Sequence, residues 1–323
     1  MVRTVQTSWA VVYVGKPLDR LMKIDPPPRI VCTDTHVKEA ASRWCGIDSR
    51  INSGNSSEIS SLPPLARARP RRDRREILDG VLWILRTGAP WRDLPAELGP
   101  WATVWDLFDT WNHDGTLDAI LSRLRSAGID TGLVDRELWC VDGTVVRAAR
   151  CAGGGGKEDD PEEPSDHALG RSRGGFSTKI HLLCDVHGHP LDFHLTPGQA
   201  HEATGLVPLL EGAEERVVDG DGEAIAWPVA LAGDKGFRAD WIDEYLLAMG
   251  MTPVIPSKEN EDRTARAVDF DREAYRRRSI VECLIGWLKE CRRIFSRFEK
   301  TAKNFGGMIK IAFIQRYLRL CSG

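Results

Sequence analysis

From residue 137 onward short apolar runs closed by glycine or aspartate alternate with segments of helical spacing, and the resulting order of elements restricts the fold more than any other feature. Residues 137–141 are a strand candidate ending at Asp142-Gly-Thr, and 178–184 and 191–195 form a hairpin over the turn 185–190. Residues 201–210 read as a helix, 212–223 as an acidic loop, and 228–232 as a buried strand ending at Gly233-Asp234. A helix over 239–249, a strand over 252–255 and two long helices, about 273–294 and 303–320, complete the chain. The order β-β-β-α-β-α-β-α-α predicts a mixed sheet with helices on its faces, in one α/β domain over 137–323. The acidic, glycine-rich stretch 153–166 reads as a flexible loop within it.

Upstream the period is helical. Ile77, Leu78, Val81, Leu82 and Leu85 follow Arg74 until Thr87-Gly-Ala-Pro90 breaks the pattern, and helices over 101–111 and 117–127 follow. Residues 59–130 are therefore expected to form a small all-helical domain, with Trp101 and Trp105 at core spacing. Short helices behind an arginine cluster fit a DNA reader, and they fit many other helical domains. Residues 1–58 show no sustained period and are expected to be an irregular extension. The apolar stretch 9–15 is short for a signal-peptide core, and no run approaches the ~18 apolar residues of a membrane span. A cytoplasmic protein without a membrane partner is the expectation. Eight cysteines contain no Cys-x-x-Cys pair and read as reduced thiols. His187, His189, His194 and His201 lie close in sequence, but no cysteine joins them at zinc-ligand spacing.

A net charge of -3 conceals a strong asymmetry. Residues 263–323 hold fifteen Lys or Arg against six Asp or Glu, and Arg71, Arg72, Arg74 and Arg75 belong to a run of six arginines between Arg67 and Arg75. Two basic zones on an otherwise acidic chain point to a polyanion partner, although either zone alone would suit a solvated helix face.

Asp142 and Asp234 both close strands, and ligands of α/β sheets gather at the carboxyl ends of strands. Glu282 lies in a helix whose core side is Val281, Leu284, Ile285 and Leu288. At ~3.6 residues per turn, Tyr275, Arg278, Glu282 and Lys289 share one stripe of that helix. Such a stripe is often a surface ion-pair ladder. In the company of two strand-end aspartates, three hard oxygen donors instead suit Mg²⁺ or Mn²⁺, and two such ions can promote phosphodiester cleavage.

Asp142, Asp234 and Glu282, with the spacing Tyr275-(2)-Arg278-(3)-Glu282-(6)-Lys289, resemble the DDE transposases of bacterial insertion sequences, in the branch that carries this signature. The segment from Arg74 to Pro95, the run from Gly174 to His181 and the Thr196-Pro-Gly-Gln-Ala-His201 turn resemble the same family, which spans about Leu62 to Tyr317. Residues 1–58 do not match. The resemblance implies a ribonuclease H-like catalytic domain with the acids on the first strand, the fourth strand and a later helix. It implies that Asp142, Asp234 and Glu282 hold two Mg²⁺ or Mn²⁺ ions. Tyr275, Arg278, Lys289 and Lys235, with the arginines at 71, 72, 74 and 75, would support the site or grip double-stranded DNA, both the element's terminal inverted repeats and the target. A homodimer on paired ends is implied too. The competing possibilities are a nuclease of the same fold and an inactive DNA-binding relative.

Overall fold

The structure is a computed structural model that describes residues 72–155, 160–161, 163–261, 266 and 268–321. The expected extension at 1–58 and Arg71 lie outside the described residues. Three helices come first: α1 (Arg74–Thr87), α2 (Trp101–His113) and α3 (Thr116–Asp130). α1 begins where the Asp73 carboxylate accepts the Arg75 N–H at 2.9 Å. It ends at Gly88, whose φ of 68° lets its N–H return to the Ile84 carbonyl. Ile77, Val81, Ile84 and Leu85 are buried on one side, as their spacing predicts.

The sheet contains β1 (Leu138–Ala148), β2 (Gly170–Ser172), β3 (Gly175–Asp185), β4 (Pro190–Pro197), β5 (Ala230–Ala232), β6 (Thr252–Val254) and β7 (Ser296–Arg297). Antiparallel pairing joins β4 to β3 and β3 to β1, and parallel pairing joins β1 to β5 and β5 to β6. Leaving aside the short β2 and β7, Asp142 lies on the first strand and Asp234 follows the fourth. This mixed sheet is the ribonuclease H-like arrangement expected. Helices α4 (Leu206–Arg216), α5 (Asp240–Ala248), α6 (Arg272–Arg277), α7 (Ser279–Glu290), α8 (Arg292–Phe295) and α9 (Ala302–Cys321) complete it.

Strand alternation divides the interior into two cores. Leu138, Cys140, Ile180, Leu182, Ala232 and Val254 face one side, where they share a cluster with α1, α2, α3, α7 and α9. Trp139, Val141, Leu183, Leu191 and Leu231 face the other side, against α4 and α5. The helical segment thus packs into the same core as one face of the sheet. A close crossing fixes it there: a Cβ on Gly307 of α9 would lie 2.8 Å from the Asn112 side chain of α2. Asn112 is buried, and its amide donates to the Lys303 carbonyl and to Asn304 Oδ1, each at 3.0 Å.

Several local expectations need correction. β1 does not end at Asp142. It continues to Ala148 because Thr144 and Val146 stay buried while Val145 and Arg147 face outward, keeping the antiparallel ladder with β3. The helix expected over 273–294 is three pieces. The joint at Arg278 is tightened by bonds from the Arg278 N–H to the Tyr275 carbonyl (3.1 Å) and from the Val281 N–H to the Arg278 carbonyl (3.0 Å), and Cys291 turns extended. The helix expected at 201–210 starts as a 3₁₀ turn, Glu202–Gly205, and runs on as α4 to Arg216, so the acidic loop begins later. In the acidic stretch 153–166, Glu163 caps α9 by accepting the Ala302 and Lys303 N–H groups at 2.6 and 2.9 Å. Its described part is docked. Trp101 and Trp105 are partly exposed rather than core, with the Arg92 guanidinium over the Trp101 ring.

Among the described residues no helix is long and apolar enough to cross a membrane. Cys140, Cys151, Cys184, Cys283 and Cys291 are free thiols.

Candidate active site

Parallel register brings the two aspartates together. Cys140 of β1 pairs with Ala232 of β5, and Asp142 and Asp234 each lie two residues further on. β5 stops at Ala232 while β1 continues, which leaves a notch at the end of the parallel ladder. Asp234 caps the 3₁₀ turn Lys235–Phe237, accepting the Gly236 N–H at 2.8 Å. The Asp142 carboxylate accepts the Gly143 N–H at 2.7 Å.

α7 runs along the Leu138–Cys140 side of the sheet, held by buried Val281, Leu284 and Leu288. That packing aims Arg278 at β1. Its guanidinium donates to Asp142 Oδ2 at 3.1 Å and to Glu282 Oε1 at 2.5 Å, and so links the first and third acids. The guanidinium carbon lies 5.5 Å from the centre of the Tyr275 ring, which packs at a tilt against Phe270. Lys289 Nζ donates to the Val145 carbonyl of β1 at 3.5 Å. Arg278 and Lys289 thus reach β1 directly, and Tyr275 and Glu282 both contact Arg278. Lys235 is exposed and pairs with Glu259 at 3.6 Å. Of the described arginines upstream, Arg72 approaches Glu76 at 3.7 Å, and Arg74 and Arg75 lie in the first turn of α1. None of these three is brought to the acids by a described contact.

Burial pushes the Asp142 carboxyl above its ordinary range, and the Asp234 charge pushes the same way, against the Gly143 N–H and Arg278. For Arg278, burial opposes the charged form, but Asp142, Tyr275 and Glu282 outweigh it and raise its pKa. The arrangement is a carboxylate cluster neutralised in part by a guanidinium. As they stand, no three His, Cys, Asp or Glu side chains converge as metal ligands among the described residues. Arg278 lies between Asp142 and Glu282 and bridges them.

One residue at this site escaped sequence reasoning. Glu202 opens the 3₁₀ turn before α4, and its carboxylate is within hydrogen-bonding reach of Asp234, with Asp142 close enough to add repulsion. Burial, then Asp234, raises its pKa; Lys179 Nζ, at 3.8 Å, acts against them. It directly follows the Thr196–His201 turn, and that adjacency was the available signal. The histidines have structural partners: His189 Nδ1 meets Asp185 at 2.8 Å, His194 lies beside His181, and His201 Nδ1 accepts the Ala203 N–H.

Comparison with known proteins bears on the family. Residues 58–121 match the family described as "Putative transposase of IS4/5 family", and residues 134–315 match "Transposase DDE domain". The y4sN protein of Sinorhizobium fredii is 38% identical over 85 residues, 26% of this chain and 63% of that protein. The "Putative transposase for insertion sequence element IS6501" of Brucella ovis is 30% identical over 144 residues, 45% of this chain and 100% of that protein. The corresponding IS402 protein of Burkholderia cepacia is 28% identical over 141 residues, 44% of this chain and 62% of that protein. The match to y4sN and that to the IS402 protein each span less than two thirds of the relative's length. Alignment with the pre-cleavage Mos1 transpososome covers 88% of this chain and 87% of that one at 14% identity, but a TM-score of 0.22 is too low to bear on the fold. With the DDE domain matched over more than half of its length, the chain belongs to the DDE transposase family.

Proposed function

We propose that the chain is the transposase of a bacterial insertion sequence, acting in the cytoplasm. It binds double-stranded DNA at the element's terminal repeats, hydrolyses a phosphodiester there, and joins the freed 3′-hydroxyl to target DNA. The observation that carries this proposal is the gathering of Asp142 and Asp234 at the end of one parallel ladder, with Glu282 tied to Asp142 through Arg278.

The donor set fits a hard divalent cation. Asp142 and Asp234 repel each other, all the donors are carboxylate oxygens, and a guanidinium already stands between two of them. Asp142, Asp234 and Glu282 would hold Mg²⁺ or Mn²⁺, as two ions. Bound there, the metal supplies Lewis-acid stabilisation of phosphate charge and a more acidic water. Arg278, displaced from the carboxylates, has a planar donor set suited to a phosphate oxygen, and the Tyr275 ring keeps it at the site. Lys289, on the same side of α7, faces the same backbone. Lys235 and the arginines from 71 to 75 would add non-specific phosphate contacts. The chain would act as a homodimer on paired ends.

The test is a cleavage and joining assay on duplexes carrying the ends of the encoding element, with Mg²⁺ or Mn²⁺. Wild type is expected to cut at the 3′ ends and join them to target. Asp142→Ala and Glu282→Ala are expected to retain DNA binding and lose both steps. Cutting without joining would make the chain a nuclease, and binding without cutting would make it an inactive relative.

A further inference from the structure

We infer that Glu202 is a fourth carboxylate of the cation site, reaching Asp142 and Asp234 from the opposite side of the sheet. The inference rests on the transposase function proposed above. It begins with alternation along β1. Leu138, Cys140 and Asp142 point toward α7, so Gly143 takes its turn on the side of Trp139 and Val141, which is the α4 side. Glu202 belongs to the turn that enters α4 on that side. A Cβ on Gly143 would lie 3.2 Å from Glu202 Cγ, and a Cβ on Gly236 would overlap the Glu202 carboxylate. The side chain therefore runs over two positions that carry none, one beside Asp142 and one two residues past Asp234.

The turn that presents it is fixed from three directions. Lys179 Nζ donates to the Ala200 carbonyl at 2.7 Å, His201 Nδ1 accepts the Ala203 N–H at 3.2 Å, and the His181 ring lies so close to Gly205 that no Cβ fits there. The alternative role, an ion pair with Lys179, accounts for one contact at 3.8 Å but not for the passage across Gly143 and Gly236. Glu202 lies within hydrogen-bonding reach of Asp234 and feels the Asp142 charge, with Lys179 and Arg278 as the neighbouring cations; the three carboxylates do not converge on one point as they stand, and a divalent cation would draw them together.

The experiment is Mn²⁺ titration of the full chain, with free Mn²⁺ followed by electron paramagnetic resonance, for wild type, Glu202→Gln, Glu202→Asp and Asp142→Asn. Thermal unfolding without metal accompanies it. Glu202→Gln should weaken Mn²⁺ binding by about tenfold or more, a loss that even outer partners of metal ligands produce. Glu202→Asp should fall between, and metal-free Glu202→Gln should melt no lower than wild type because it relieves repulsion. If Glu202→Gln binds Mn²⁺ like wild type while Asp142→Asn does not, Glu202 is no ligand and the cation site stands without it. A lower metal-free melting point with unchanged affinity would assign it a structural role only. If wild type takes up no Mn²⁺, the cation site itself fails and the role of Glu202 falls with it.

Discussion

His181 on β3 is completely buried; its Nε2 lies 2.8 Å from the Thr196 hydroxyl, and its Nδ1 has no hydrogen-bond partner. Burial, aided by His194 and Lys179, lowers its pKa to about 3, and burial lowers that of His194 as well. The unfolded chain takes up these protons below its ordinary histidine value while the native chain refuses them. For His181 the stability is therefore fully present above pH ~6.5 and lost as the pH falls toward about 3, at up to ~1.4 kcal/mol per pH unit, and His194 adds to the loss in the same direction. Urea midpoints at pH 7.5 and 5.5 should show this loss, and His181→Gln should make it smaller. An equal loss in the variant would show that His181 is not its source. The same residue shows where sequence reasoning stops. His181 sits inside a segment that resembles the family, yet its packing against Gly205, and through it the placement of Glu202, depends on a contact between β3 and a turn twenty residues away.

Among the elements, α7 holds Glu282 beside Arg278 at the site, and the crossing of α2 with α9 fixes the helical segment. Leu288 is completely buried beneath α7, and Leu288→Ala is expected to destabilise the chain by about 2–5 kcal/mol, read from denaturant midpoints. Gly307→Leu should also destabilise, since the side chain must displace Asn112 from its two bonds to α9. A Gly307→Leu variant as stable as wild type would mean that the crossing can open. The bounds of α1 and the existence of most elements were legible because their capping residues and apolar periods are local. The break at Arg278 was not. Continuous helical periodicity ran through it, and only the pull of Arg278 toward Asp142 on one side and Glu282 on the other gives the joint its function. The exposure of Trp101 and Trp105 was likewise hidden, because helical spacing says which residues share a face but not which face is covered.

For the molecule as a whole, the helices over residues 74–130 and the sheet share one apolar cluster, in which Ile77, Phe108 and Leu121 pack with Leu138, Ile180 and Ala232. Far-ultraviolet circular dichroism and tryptophan fluorescence should therefore report one coincident urea transition for residues 72–321. Two separated transitions would show that the helical segment folds independently. The sequence by itself determined the element order, an aspartate after each of two strand candidates, the Tyr-Arg-Glu-Lys spacing and the family, because each rests on local periodicity or on residues close along the chain. The tertiary structure decided which carboxylates meet. Strand register set Asp142 beside Asp234, the joint before α7 placed Arg278 between Asp142 and Glu282, and two glycines admitted Glu202. Apart from the Arg278–Glu282 pair, those are contacts between residues tens to more than a hundred positions apart, and local pattern carries no information about distances of that kind.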